Sequence, residues 1–149
     1  MQKISPSTLL VVADAGRCRL FGLDEAAQLI ELESLLSAGA RQSENELVED
    51  KPGRNRDHSG RGRHAMEPKS SAKKSAAKSF AKRVAVKLHR MLARYQHLIV
   101  VASPAFLGLL RDELDEASRE KVYLEIDKDL TYLSPLEIHC SVNEALHES

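Results

Sequence analysis

Seven side chains between residues 51 and 64 carry, or can carry, positive charge: Lys51, Arg54, Arg56, His58, Arg61, Arg63 and His64, spaced among Gly53, Gly60 and Gly62. The chemistry open to such a set is the holding of phosphate. A guanidinium fork bonds phosphate bidentately, glycine lets backbone approach a ligand closely, and His and Arg planes can stack on unpaired bases. The stretch has little to bury and predicts a nucleic-acid-binding loop. The plainer alternative is a solvated loop in which Asp50 and Asp57 pair locally with arginines, each pair contributing about 0–1 kcal/mol.

A second cationic set follows. Arg83, Lys87, Arg90 and Arg94 recur at steps of four, three and four, which places them along one edge of a helix. Together the two sets predict one basic surface. The formal net charge is zero, but it is segregated along the chain. Residues 1–50 hold 4 basic and 9 acidic side chains, residues 51–94 hold 14 and 2, and residues 95–149 hold 4 and 11. One contiguous third is thus strongly cationic, as a polyanion-binding surface requires. RNA or a ribosomal particle is the expected partner.

Other chemistry fits less well. A two-metal nuclease needs several carboxylates around ions about 3.5–4 Å apart. Asp14 could supply one, but residues 71–95 contain no carboxylate and Ser103-Pro104 follows the fourth apolar run. Asp14 is therefore expected to close a turn. The six histidines, His58, His64, His89, His97, His139 and His147, lack the close pairing with Cys or His of a zinc site. Neither a metal nor a cofactor is called for. No GxSxG, GxxxxGK[ST] or strand-anchored GxGxxG occurs, and Gly60-Arg61-Gly62 is too short for a phosphate fingerprint.

The elements that must position these residues follow from the apolar pattern. A chain of 149 residues, 42% hydrophobic and 30% charged, with 4% aromatics and no Trp, predicts one globular domain with an aliphatic core. The run Leu9 to Ala13 is too short for a signal peptide and no stretch reaches the length of a membrane span, so a cytoplasmic protein is expected. Cys18 and Cys140 form no CxxC pair and are expected to be reduced structural thiols.

Thr8 to Ala13 reads as a central strand buried on both faces. Arg17–Leu23 and Leu29–Leu35 read as two further strands of an antiparallel meander. Residues 37–70 read as a long loop, with a helical turn near Glu44 to Val48. From Ser71 to Tyr95 a helical stripe runs through Ala72, Ala76, Phe80, Val84, Leu88, Met91, Leu92 and Tyr95. His97 to Ala102 is a second buried strand. Ser103-Pro104 then caps and starts a helix carrying Phe106, Leu107, Leu109, Leu110 and Leu114. Lys121 to Asp127 is a strand nearer an edge. Ser134-Pro135-Leu136-Glu137 is a capping box opening a helix to about Leu146. The order predicts an α/β fold, a mixed five-stranded sheet with helices on its faces. That is the ribonuclease-H-like layout, which is also the layout of release-factor middle domains.

The segments LLVVADAGRCRLF (9–21), LVEDKPGRNRDHSGRGRHAMEP (47–68), FLGLLRDEL (106–114) and KDLTYLSPLEI (128–138) resemble the bacterial host-attachment protein family. That family has been related to bacterial counterparts of archaeal and eukaryotic release factors. The resemblance runs from Leu9 to about Ile138 and singles out Asp14, Gly60, Gly62, Asp129, Thr131 and Ser134. It implies a role in attachment to host cells, direct or through a protein partner, and a ribosome-facing domain. Release factors carry Gly-Gly-Gln in the loop before the long helix, where it promotes peptidyl-tRNA hydrolysis. The corresponding place here reads Gly60-Arg61-Gly62-Arg63-His64. The Gly-Gly pair is interrupted and no Gln follows. A hydrolase of peptidyl-tRNA using His58 or His64 as base is the alternative to a binding module. For Asp129 and Ser134 a structural role is equally open, Asp129 bonding turn amides and Ser134 capping a helix.

Overall fold

The computed structural model describes residues 3–38 and 66–148, with side chains in the second span from residue 72 onward. Strand β1 (Thr8–Ala13) is followed by β2 (Arg17–Leu23) and β3 (Leu29–Leu36). Helix α1 (Met66–Met91) comes next, tightening into a 3₁₀ turn at Leu92–Arg94. Then come β4 (His97–Ala102), α2 (Pro104–Glu113), α3 (Glu116–Lys121), β5 (Val122–Ile126) and α4 (Pro135–Glu148).

The five strands form one mixed sheet in the order β3-β2-β1-β4-β5. β1 is antiparallel to β2 and parallel to β4, β2 is antiparallel to β3, and β4 is parallel to β5. Every residue of β1 is buried, as is β4 from Leu98 onward. Their continuous apolar runs are what a strand covered on both faces requires. On one face, Leu9, Val11, Cys18, Leu20, Leu98 and Val100 pack against Phe80, Val84 and Leu88 of α1 and Phe106 and Leu110 of α2. On the other, Leu10, Val12, Phe21, Ile99 and Val101 pack against Ile138, Val142 and Leu146 of α4.

Helix α1 begins at Met66, five residues before the expected start, and Ala72 and Ala76 of the expected stripe are exposed. Its buried stretch runs from Phe80 to Leu92. Thirteen helical residues span about 20 Å, the length of a six-residue strand, so only this part of the helix lies on the sheet. The short helix α3 was not expected. Asp115 caps it, accepting from Ser118 N at 2.9 Å, and also meets His89 Nδ1 at 2.6 Å. Ser103 precedes Pro104 as expected, but its hydroxyl makes no capping bond. The expected helical turn near Glu44 to Val48 lies outside the described residues.

β3 departs from simple alternation because of a bulge. Leu20 pairs with Glu33 while Phe21 pairs with Glu31, leaving Leu32 as the extra residue. Leu32 and Glu33 therefore both reach the α1 side. Glu33 pairs with Lys87 of α1 at 2.5 Å. Leu32 lies against Gly22, where a Cβ would meet Leu32 Cδ1 and Tyr95 Oη at 3.2 Å each.

Candidate nucleic-acid interface

The buried face of α1 repeats every four residues at Phe80, Val84, Leu88 and Leu92, and one edge of the helix carries Arg83, Lys87, Arg90 and Arg94. The fold turns this edge toward β3. Two of the four cations are tied down. Arg83 donates from Nη1 to Leu36 O at 3.1 Å and lies 5.3 Å over the Phe80 ring, while Lys87 is paired with Glu33. Arg90 and Arg94 are exposed and have no acidic partner among the described residues.

A groove of about 410 Å³ runs beside them, floored by Leu32, Met91 and Tyr95. A neighbouring groove of about 360 Å³ lies between Leu35, Arg83, Val86 and Arg90. The opposite edge of α1 is different in charge. There Lys74 and Lys78 face Asp112 and Glu113 across a cleft, and Lys82 shares another with Glu113 and Asp115. The cations toward α2 meet acids, whereas those toward β3 meet only Glu33 among the described lining residues.

A second constellation lies at the carboxyl ends of β1, β4 and β5. Asp14 closes the β1–β2 turn as expected, its Oδ1 accepting from Gly16 N at 2.8 Å and Arg17 N at 2.9 Å. The hydroxyl of Thr131 lies 3.1 Å from Asp14 Oδ2 and 2.8 Å from Asp129 Oδ1. Its single proton serves one carboxylate at a time. Asp129 Oδ1 also accepts from Thr131 N at 3.2 Å. The capping box forms in full: Ser134 N donates to Glu137 Oε1 at 2.9 Å and Glu137 N to Ser134 Oγ at 3.2 Å. Of the motif positions, Asp14, Asp129 and Thr131 thus meet in one hydrogen-bonded knot, and Ser134 starts the adjoining helix.

Sequence reasoning missed the residue that anchors this loop. Arg19 of β2 donates from Nη1 to Thr131 O at 2.9 Å and Leu133 O at 2.7 Å, and from Nε and Nη2 to Glu31 at 3.2 and 2.9 Å. Its guanidinium lies 5.1 Å over Phe21. The available signal was an arginine between two apolar strand residues, Cys18 and Leu20. Between the β2 and β3 ends and the 131–137 segment lies a groove of about 720 Å³. Tyr132, 76% exposed, stands among its lining residues.

The chain leaves the described residues at Ala38 and re-enters at Met66. Lys51, Arg54, Arg56, His58, Gly60, Arg61, Gly62, Arg63 and His64 all lie outside them. Among the described residues no three His, Cys, Asp or Glu side chains could hold a metal ion together, and no helix is long and apolar enough to cross a membrane. Cys18 is buried, whereas Cys140, expected to be structural as well, is exposed.

No curated protein matches this chain. A family model described as protein required for attachment to host cells matches residues 9–142, a span that takes in all but the first residue of the sheet and the Asp14, Asp129 and Thr131 knot. By that match the chain belongs to the host-attachment family.

Proposed function

We propose that this protein is a cytoplasmic module that binds structured RNA, with the ribosome as the setting implied by the release-factor resemblance. The observation that carries the reading is the pair Arg90 and Arg94, exposed on an edge where two cations are already ordered and where the one described acid in their groove, Glu33, is paired with Lys87. Such an edge can neutralise successive phosphates, and the ordered neighbours fix where the strand lies. The basic 51–64 segment, joined to this region through β3 and α1, would add to the same surface.

The test is co-sedimentation with ribosomes from a lysate at low and high salt, with and without nuclease. It is paired with the affinity of the Arg90→Ala, Arg94→Ala variant for RNA. Salt-sensitive binding, weakened in the variant, is expected. Protein that stays at the top of the gradient under all conditions would remove the reading.

A second reading has one observation in its favour. β3 ends the sheet, and Ile30 and Leu32 on it are 40% and 37% exposed. A protein partner adding a strand to this edge would form backbone hydrogen bonds with it. That would give attachment to host cells an indirect route, and such binding would survive nuclease. Peptidyl-tRNA hydrolysis would rest on His58 or His64, which lie outside the described residues.

A further inference from the structure

We propose that the 720 Å³ groove beside Tyr132 takes an unpaired RNA base, guanine in preference to uracil, stacked on the Tyr132 ring. This rests on the RNA reading above and adds a base-reading pocket to its phosphate-binding edge.

The two places are continuous. Leu35 lines both this groove and the one beside Arg83 and Arg90, and Leu36, whose carbonyl holds Arg83, lines it too. A strand whose phosphates lie along α1 therefore passes the mouth of the groove at the end of β3.

The groove itself suits a base better than a phosphate. Its volume falls within the roughly 300–1,000 Å³ of small-molecule sites. Its lining balances Arg17 and Arg19 against Glu31 and Glu137, so it carries no excess of cations to draw a phosphate, unlike the α1 edge. Arg19 is already committed to two carbonyls and to Glu31. Tyr132 is 76% exposed between Thr131, which is buried, and Leu133, which is half-buried. The core does not use its ring, and an exposed tyrosine is a stacking platform for an unpaired base.

Acceptors decide which base. Glu137 Oε1 accepts one bond, from Ser134 N, and keeps a second lone pair, while Oε2 has no hydrogen-bond partner among the described residues. A carboxylate accepts from the adjacent N1–H and N2 amino donors of guanine, whereas uracil offers a single N–H.

The experiment measures anisotropy of two labelled single-stranded RNAs, a dodecamer of uridine and the same dodecamer with one central guanosine. The proteins are wild type, Tyr132→Ala, Tyr132→Phe and Arg90→Ala/Arg94→Ala. The guanosine is expected to tighten wild-type binding about 2- to 10-fold. Tyr132→Ala is expected to weaken the guanosine RNA by about 5-fold or more and to erase the preference. Tyr132→Phe keeps both, and the double arginine variant weakens both RNAs while keeping their ratio. Wild type that binds both RNAs equally, with Tyr132→Ala unchanged, overturns the base pocket and leaves the RNA reading standing. Wild type that binds neither overturns both.

Discussion

Arg19 shows how one side chain can hold a motif in place. It is 13% exposed, and removing it leaves the carbonyls of Thr131 and Leu133 without their donor and Glu31 without its cation. Arg19→Ala should therefore lower stability by about 2–3 kcal/mol, read as a shift in the urea midpoint. Arg19→Lys should recover little of this, since an ammonium cannot reproduce the fork. A variant within 0.5 kcal/mol of wild type, an effect about as small as that of a neutral surface change, would show that the 131–137 segment holds itself. The two cysteines should differ as sharply. Burial first, and Asp14 second, push the Cys18 thiol up to about 12, so at pH 8 a thiol reagent should label Cys140 alone, as counted by intact mass. Two fast labels on the folded protein would contradict that burial. Ala27 sits at φ 64°, in the left-handed region where a Cβ costs about 1–2 kcal/mol, and Ala27→Gly should raise the thermal midpoint.

The strands were legible because their residues obey one rule each. β1 and β4 are apolar throughout and lie between two layers, and Ser134 with Glu137 declared the start of α4 by spacing alone. What escaped the sequence depends on distant partners. The bulge in β3 hides within an apparently regular Leu29-Ile30-Glu31-Leu32-Glu33, and only the approach to Gly22 and Tyr95 explains why Leu32, still 37% exposed, turns to the α1 side. Gly22→Val should accordingly destabilise by about 1–3 kcal/mol through overpacking at that step, whereas Gly108, which has nothing within 4 Å of an added Cβ, should tolerate alanine. The helix α3 escaped because its cap is shared with His89 of α1. The Ser118 hydroxyl, then the Ser118 N–H, with His89 adding a smaller contribution, hold the Asp115 carboxyl below its ordinary value of 3.8. A carboxyl lowered in the folded state stabilises above the unfolded value, and that contribution is lost as pH falls through the folded one. The protection factor of the Ser118 amide, its exchange rate corrected for the intrinsic pH dependence, should thus hold at neutral pH and fall in the acid range. Asp115→Asn should remove that dependence.

At the scale of the molecule, a net charge of zero conceals a partition that the fold preserves: cations toward α2 are met by acids and those toward β3 largely are not. If Arg90 and Arg94 each neutralise a phosphate, replacing both with Ala should reduce the salt dependence of RNA affinity, the slope of log K against log salt falling by about 1.4 for a single strand. An unchanged slope with weakened binding would assign them to packing instead. The position of this edge could be read from spacing, but which of its cations lack an acid among the described residues could not, because Glu33 reaches Lys87 only through the bulge. The central pair of strands has its own consequence. β1 and β4 join residues 89 positions apart, Thr8 with His97 and Ala13 with Ala102. Pairings of such separation must close a long stretch of chain before any contact rewards it, and they slow folding. Yet closure cost grows only with the logarithm of length, a doubling adding about 0.6 kcal/mol. A change of a few tens of positions in that 89-residue separation thus alters the cost by only about a few tenths of a kcal/mol, so the pairing of β1 with β4 depends far more on matching apolar runs than on how much chain lies between them.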